Sequence, residues 1–189
     1  MNFQNHFLIA MPGLKHPLFK HSVIYMFKHD NRGAMGIIIN KKIENLTIKK
    51  VLYQLKINIH TSSKISQKHN YPVIIGGPVL EDRGFILHTS FKKKFTSSTT
   101  ISQDISITTS RDVLEHIANL NVPQKILLAL GYCLWHKNQL EYEIANNIWL
   151  TTPADIKIIF ETPFSERWIR SAKNIGINMS QLTSEIGHA

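Results

Sequence analysis

The hydrophobic pattern of the first third of the chain predicts short β-strands. Phe7–Ala10 is an apolar run that ends at a Met-Pro-Gly turn. Ser22–Phe27 and Ala34–Ile39 are rich in β-branched and aromatic residues, as strands are. The turn signal Asp30–Gly33 lies between these two runs, so they are predicted to form a hairpin.

The rest of the chain alternates between strand and helix patterns. Short buried runs predict strands at Pro72–Ile75, Phe85–His88, Ile105–Thr108, Ile126–Leu130 and Ile148–Leu150. Capping signals predict helices from Thr47 to about Leu55, from Ser110 or Thr109 to about Ala118, after Thr152, and from Thr162 to about Asn174. A further helix is predicted over Gln139–Asn146. Because a hairpin precedes interleaved strands and helices, the sequence predicts an α/β fold of α+β character. We expect one domain over residues 1–189, with a mixed β-sheet flanked by helices.

Composition narrows the class of protein. The chain has 189 residues, 43% of them hydrophobic and 19% charged, which is typical of one globular domain. The single cysteine, Cys133, cannot form an internal disulfide and fits a reducing compartment. The N-terminus lacks the basic region of a signal peptide, and Ile126–Trp135 is about half the length of a membrane span. These features predict a cytoplasmic protein with no membrane association.

The net charge of +9 raises the question of nucleic-acid binding. Most of the basic residues are lysine, whereas sites that grip phosphates or read bases favour arginine. Lysine, isoleucine and asparagine share AT-rich codons, so compositional drift explains much of the basicity. The run Lys92-Lys93-Lys94 is expected to be a solvated loop. Direct DNA binding therefore stays open as the weakest functional hypothesis.

The first constellation that carries chemistry surrounds a double glycine. The sequence contains no P-loop, no dinucleotide-binding fingerprint, and no HExxH, GxSxG or CxxC motif. Gly76 and Gly77 follow a predicted strand and would expose backbone N–H groups, beside which Arg83 could hold an anion, with His88 close by. The alternative, which we favour, is a tight turn with Arg83 in a local ion pair.

The second constellation follows the predicted central strand. Tyr132 and Trp135 are expected in a loop, and Gln139 and Glu141 at the start of the next helix. Glu141 could act as a general base or as an anchor for Arg83. The alternative, again favoured, is that the aromatic residues close the core, while Glu141 and Glu143 stabilise the helix N-terminus.

Metal and cofactor sites are not predicted. The histidines are scattered and lack the spacing and carboxylate partners of metal ligands. Cys133 is predicted to be a small buried apolar residue rather than a nucleophile.

Taken together, these stretches resemble the YqgE/AlgH family of bacterial proteins. The resemblance spans the chain in order and rests on the segments Leu8–Pro12, Ser22–Tyr25, Gly33–Gly36, Gly76–Val79, Arg83–His88, Thr109–Leu114, Gly131–Tyr132, Gln139–Glu141, Trp149–Leu150 and Gly187–Ala189. It implies a single α/β domain whose mixed sheet includes a small closed barrel and is flanked by helices. The family has no established catalytic activity, and one member is named a transcriptional regulator of alginate production.

The chain departs from the family pattern at five positions. Leu134 and Asn138 replace glycines, and His136 replaces a small residue. His16 stands where the family has an aspartate, and Phe27 where it has a cysteine. The bulkier residues are expected to narrow or close a pocket, and a family site that needs that acid or thiol would be missing.

Three functional hypotheses follow, in order of preference. The first is a non-enzymatic regulatory or interaction protein with an unknown protein partner, by family name a transcriptional regulator. The second is a binder of an anionic metabolite or nucleotide, or a small enzyme, that uses the Gly76-Gly77/Arg83 turn and the Tyr132–Glu141 loop. It requires Arg83, His88 and Glu141 to converge in one pocket. The third is direct DNA binding, which would weaken steeply with salt.

Overall fold

The fold was derived from a computed structural model that describes residues 1–59, 69–91, 95–118 and 123–179. Its strands are β1 His6–Ala10, β2 Val23–Asp30, β3 Gly33–Ile38, β4 Lys42–Thr47, β5 Pro72–Ile75, β6 Val79–Thr89, β7 Ser98–Thr100, β8 Ile105–Thr108, β9 Ile126–His136 and β10 Trp149–Pro153. Its helices are α1 Ile48–Gln54, α2 Arg111–Ala118, α3 Gln139–Ala145, α4 Ile156–Phe160 and α5 Arg167–Lys173. The run Lys92-Lys93-Lys94 lies outside the described residues, as do the last ten positions of the chain.

One curled sheet organises the molecule. Its strands follow the order β10-β1-β2-β3-β9-β6-β8-β7, with β5 beside β9 and β4 beside β5. The predicted β2–β3 hairpin is confirmed, since Asp30 lies opposite Gly33. The β5–β9 pair is parallel and the other described pairs are antiparallel, so the sheet is mixed, as predicted. Among the described pairings β10 and β7 remain edges, so the expected closed barrel is here a half-barrel.

Strands β1 to β3 are buried on both faces, which explains their nearly continuous apolar runs. Phe7 and Ile9 belong to the core that packs against α4 and α5, while Leu8 and Ala10 face a second core against α3. A third core joins β5, β6 and the first half of β9 to α1 and α2. Two helical layers therefore cover this sheet.

Gly131 reverses the faces of β9. Before it, Leu127 and Ala129 point into the core beneath α4 and α5. After it, Cys133 and Trp135 belong to the opposite core, although they continue the same odd-numbered series. Gly131 has φ +74°, and one residue in this conformation interrupts the alternation of a strand. The second half of β9 therefore presents its side chains to a different layer.

The structure corrects the predicted extent of β9 and its surroundings. The Tyr/Trp-rich segment after Leu130, predicted to be a loop, continues as strand to His136, where β3 pairs with it. Backbone pairing across the sheet outweighs the local turn signals. The predicted Phe85–His88 strand likewise begins six residues earlier, at Val79.

Two of the predicted helix starts are also corrected. Thr47 caps α1 as predicted, because its hydroxyl accepts from the Lys50 N–H. Pro153, expected in the first turn of a helix after Thr152, instead ends β10, and Asp155 caps α4. The helix expected from Thr162 begins only at Arg167. Pairing of β10 with β1 holds Thr152 and Pro153 in extended backbone.

Candidate functional site

A groove opens where the second half of β9 meets α3 and β10. We call it the tryptophan groove; its volume is about 320 Å³, and it is lined by Leu14, His16, Phe19, Pro78, Val79, Cys133, Leu134, Trp135, Gln139, Glu143, Ile148 and Trp149. The walls are mainly apolar and include two tryptophans. Gln139, Glu143 and His16 contribute its polar side chains. Such a mixture is typical of binding sites, in which a few polar groups fix orientation.

Glu143 is the polar centre of this groove. Its Oε2 accepts the indole N–H of Trp135 at 2.8 Å and that of Trp149 at 2.7 Å. Its Oε1 accepts from the Gln139 side-chain amide at 3.0 Å, one helical turn earlier on α3. All three donors are neutral, and Glu143 forms no ion pair with any residue that the structure describes. The groove therefore holds a carboxylate that is satisfied by hydrogen bonds but lacks a counter-charge.

Two of the positions that depart from the family pattern, His16 and Leu134, line the groove. Asn138 replaces a glycine in the left-handed region, φ +63°, which asparagine tolerates better than most residues. Leu134 lines the groove and is 42% exposed. The Nδ1 atom of His16, another lining residue, accepts from the Leu18 N–H at 3.3 Å. A groove remains open beside these residues, so they do not close it. That they narrow it stays a prediction.

Glu141, the predicted base or anchor, pairs with a histidine instead of Arg83. Its Oε1 accepts from His29 Nε2 at 2.9 Å. His29 Nδ1 accepts the Phe3 backbone N–H at 3.0 Å, so the ring proton must reside on Nε2. The His29–Glu141 pair thus joins the end of β2 to α3, with both ring nitrogens occupied.

Gly76 and Gly77 permit a close approach of backbones. A Cβ at Gly76 would lie 2.1 Å from the Gly131 carbonyl oxygen, and one at Gly77 would lie 2.2 Å from the carbonyl carbon of Tyr132. The Gly76 N–H donates to Leu130 O at 2.7 Å and is therefore not free to bind an anion. The Cys133 thiol donates to the Gly76 carbonyl, at a sulfur–oxygen distance of 3.5 Å. These glycines support the wall of the groove from behind.

Arg83 lies near the middle of β6, and His88 lies near its C-terminal end. Arg83 is exposed in a bulge, where the four residues 80–83 face Gly131 alone. Within the described residues Arg83 makes no ion pair, so neither the anchor to Glu141 nor the favoured local ion pair is found. His88 is buried; its Nδ1 donates to Thr89 O and its Nε2 accepts the Thr108 hydroxyl proton, both at 2.9 Å. Burial lowers the pKa of His88, so the neutral ring is favoured.

Of the predicted site residues, Trp135 and Gln139 line the tryptophan groove. Tyr132 packs on the opposite core, against Phe85. The sequence analysis did not assign Glu143, Trp149 and Phe19 to a site. The spacing of Gln139 and Glu143 indicated a shared helix face, but nothing local indicated that β10 would bring Trp149 to it.

The described residues also bear on a metal site, a membrane-spanning helix and a reactive thiol. No three histidine, cysteine, aspartate or glutamate side chains there are placed to hold a metal ion. In the same part of the chain no helix has the length and apolar character needed to span a bilayer. Burial raises the pKa of the Cys133 thiol, which disfavours the thiolate.

These features define an α+β protein with a half-barrel sheet, helices on both faces and an apolar groove containing one carboxylate. A family model described as AlgH-like matches residues 7–180, and the chain belongs to that family. The YqgE/AlgH resemblance is therefore confirmed.

Relatives and solved structures agree with this assignment. The chain is 73% identical to a UPF0301 protein of Buchnera aphidicola subsp. Baizongia pistaciae, over 100% of this chain and 99% of the relative. It is 50% identical to the UPF0301 protein YqgE of Escherichia coli over the full length of both. The solution structure of AlgH from Pseudomonas aeruginosa superposes with a TM-score of 0.78 at 40% identity, covering 100% of this chain and 97% of that one. Protein DIP2367 of Corynebacterium diphtheriae shares the fold, with a TM-score of 0.75 at 16% identity over 97% and 92% of the two chains.

Proposed function

We propose that this AlgH-like protein is a non-enzymatic interaction protein whose tryptophan groove receives a segment of a protein partner. The observation that carries the proposal is the groove itself, an open apolar cleft that contains the Glu143 carboxylate. The occupant is a peptide segment with an apolar side chain next to a lysine or arginine.

The apolar part of this recognition rests on exposed side chains. Leu134 is 42% exposed beside the groove, and Leu80, which follows the wall residue Val79, is 49% exposed. Burying such side chains against a partner contributes favourable free energy in proportion to the area covered.

The charged part rests on Glu143, the acid that lines the groove; Glu141 lies on the same helix but outside the lining. Glu143 accepts only from neutral groups, and Glu141 accepts from a histidine whose Nδ1 is already an acceptor. This acidic spot lies on a protein whose net charge is +9. A basic partner side chain is therefore attracted to this place and repelled elsewhere.

The chemistry of the buried reactive groups supports a role without catalysis. Both ring nitrogens of His29 and of His88 are engaged in hydrogen bonds. Burial disfavours the thiolate of Cys133. None of these three groups is prepared to act as a base or nucleophile. The cytoplasmic location predicted from the sequence and the transcriptional role implied by the resemblance both stay predictions.

Site-specific photo-crosslinking tests the proposal in the native cell. A photoreactive amino acid is placed at Leu134 and, as a matched control, at Ile169, which is 57% exposed on α5. We expect position 134 alone to capture a defined partner, at a segment that carries an apolar residue beside lysine or arginine. The Glu143→Gln variant should weaken that capture while the fold persists. Capture of the same species at both positions, no capture at position 134, or an acidic captured segment would overturn the proposal.

A further inference from the structure

A second cavity lies at the beginnings of β5 and β9 and contains a buried arginine. Its volume is about 270 Å³, and it lies between α1, the beginnings of β5 and β9, and the segment that joins α4 to α5. Arg167 lines this cavity although the residue is only 3% exposed. The sequence analysis did not single out this residue.

Arg167 is held by neutral partners alone. Its Nε donates to Thr162 O at 2.9 Å, and its Nη1 donates to the Ile39 carbonyl. The guanidinium carbon lies 4.0 Å from the centre of the Phe164 ring. No carboxylate among the described residues pairs with it. A buried cation without a counter-charge is unfavourable, and burial lowers the pKa of Arg167 to about 10.

The Nη2 group provides the free donors. Among the described residues no hydrogen bond engages Nη2, while Nε and Nη1 are occupied. Because Arg167 lines the cavity, an anion placed there can accept from Nη2 in a charge-assisted hydrogen bond. The two occupied nitrogens fix the plane of the guanidinium, so that little rotamer entropy is lost when the anion binds.

The surroundings favour an anion over a cation. The Lys42 Nζ lies 5.9 Å from the centre of the same Phe164 ring and makes no ion pair with a described carboxylate. Glu161 is an acid of the lining, and Lys125 neutralises it in an ion pair. Arg167 is therefore the charged side chain of the lining that no described opposite charge neutralises.

We propose that this cavity binds a small organic carboxylate, with its charge at Arg167 and its apolar body between Phe164 and Tyr71. The remaining walls include Ile48, Ile126 and Leu128, which favour an apolar body over a strongly hydrated inorganic ion. The anion chemistry that the sequence suggested at Arg83 is thus assigned to a different arginine.

The test compares benzoate with benzamide by NMR on the ¹⁵N-labelled full chain. The two molecules have nearly the same shape, and only benzoate is charged. We expect benzoate to shift the amide signals of residues around the cavity, with an affinity about tenfold higher than that of benzamide. Equal shifts with both probes, no shifts with benzoate, or equal shifts with inorganic phosphate would overturn the proposal.

A surface variant keeps the test independent of folding. Arg167→Lys removes the planar donor group and should abolish benzoate binding, but a change at so buried a residue endangers the fold. Lys42→Gln leaves the core intact and should weaken benzoate binding severalfold. Lys137→Gln, in the distant turn between β9 and α3, is the matched control and should leave binding unchanged. An equal effect of both lysine variants would show only a general response to net charge and would overturn the assignment.

Discussion

His29 donates its Nε2 proton to the Glu141 carboxylate at 2.9 Å and so connects two elements that are 112 residues apart in sequence. The other ring nitrogen accepts the Phe3 N–H, which fixes the tautomer. A histidine–carboxylate pair on a protein surface suggests catalysis, but here no lone pair remains for a substrate proton. The pair positions α3, which carries the Glu143 carboxylate of the tryptophan groove.

Replacing His29 should reveal this structural role. His29→Phe retains an aromatic ring but leaves the buried Phe3 N–H without an acceptor, so we expect a loss of about 2 kcal/mol in the free energy of unfolding. Glu141→Gln keeps an acceptor at an exposed position and should cost less than about 1 kcal/mol. Urea denaturation measures both. A His29→Phe protein as stable as Glu141→Gln would contradict the assigned hydrogen bond.

The Glu143 carboxylate should stabilise both tryptophans. Trp135 and Trp149 are each 4% exposed, so Glu143→Ala leaves two nearly buried indole N–H groups without an acceptor. We expect a loss of about 2 to 4 kcal/mol in the free energy of unfolding. Glu143→Gln, which offers one carbonyl oxygen to both indoles, should lose less than half of that. Tryptophan fluorescence during guanidinium denaturation distinguishes the variants, and equal losses would refute the role of the shared oxygen.

Alanine substitutions at two glycines with nearly the same backbone conformation distinguish the cost of that conformation from the cost of steric overlap. Gly131 has φ +74° and Gly176 has φ +75°, but a Cβ would meet the Gly77 carbonyl oxygen at 2.4 Å only at Gly131. We expect Gly176→Ala to cost about 1 to 2 kcal/mol from the left-handed conformation. Gly131→Ala adds an overlap with backbone and should cost at least about 3 kcal/mol. Thermal unfolding measures the difference, and similar melting temperatures would contradict the close approach.

The buried His88 should make stability fall in mild acid. Its pKa is lowered from 6.5 by burial, so the folded protein resists protonation while the unfolded chain accepts a proton. Its contribution to stability is therefore complete above pH 6.5 and is lost as the pH falls from 6.5 toward the folded pKa, at up to about 1.4 kcal/mol per pH unit. Denaturation of wild type and His88→Asn between pH 7.5 and 5 measures this loss.

The control for this pH dependence is the second histidine whose pKa is lowered. Burial and the nearby Lys20 lower the pKa of His21, which is less buried than His88. His21→Asn should flatten the pH dependence less than His88→Asn does. An unchanged slope in the His88 variant would show that other groups cause the loss.

Local patterns located most elements but misjudged their ends. The hairpin of β2 and β3, the Thr47 cap and the core strand at Ile126 were all predictable, because turn residues, capping side chains and apolar runs act over a few residues. The continuation of β9 to His136 was not, since its hydrogen bonds are supplied by β3 about one hundred positions away. Pro153 was predicted to start a helix because its local sequence resembles a capping signal. Its pairing with His6, a distant residue, places it in a strand instead.

The candidate site shows the same division. Trp135 and Gln139 stood out as unusual residues in a suggestive segment, and both do line the groove. Glu143 was recognised only as an acid near a helix N-terminus, because its two indole donors come from different strands. Arg83 and Glu141 were expected to pair because their charges are opposite. In the structure Arg83 lies in the bulge of β6, and Glu141 binds His29 instead.

The sequence by itself determined the fold class, the main elements and the resemblance to a family, since these depend on local periodicity, capping and motif order. The tertiary structure alone decided which faces meet. A single left-handed glycine, Gly131, reverses the faces of β9 and brings Trp135 to Trp149 and Glu143. Arg167 reaches a carbonyl 128 residues away and lines a cavity there. Such contacts join residues that no window of the sequence contains together, and for that reason only the folded chain shows them.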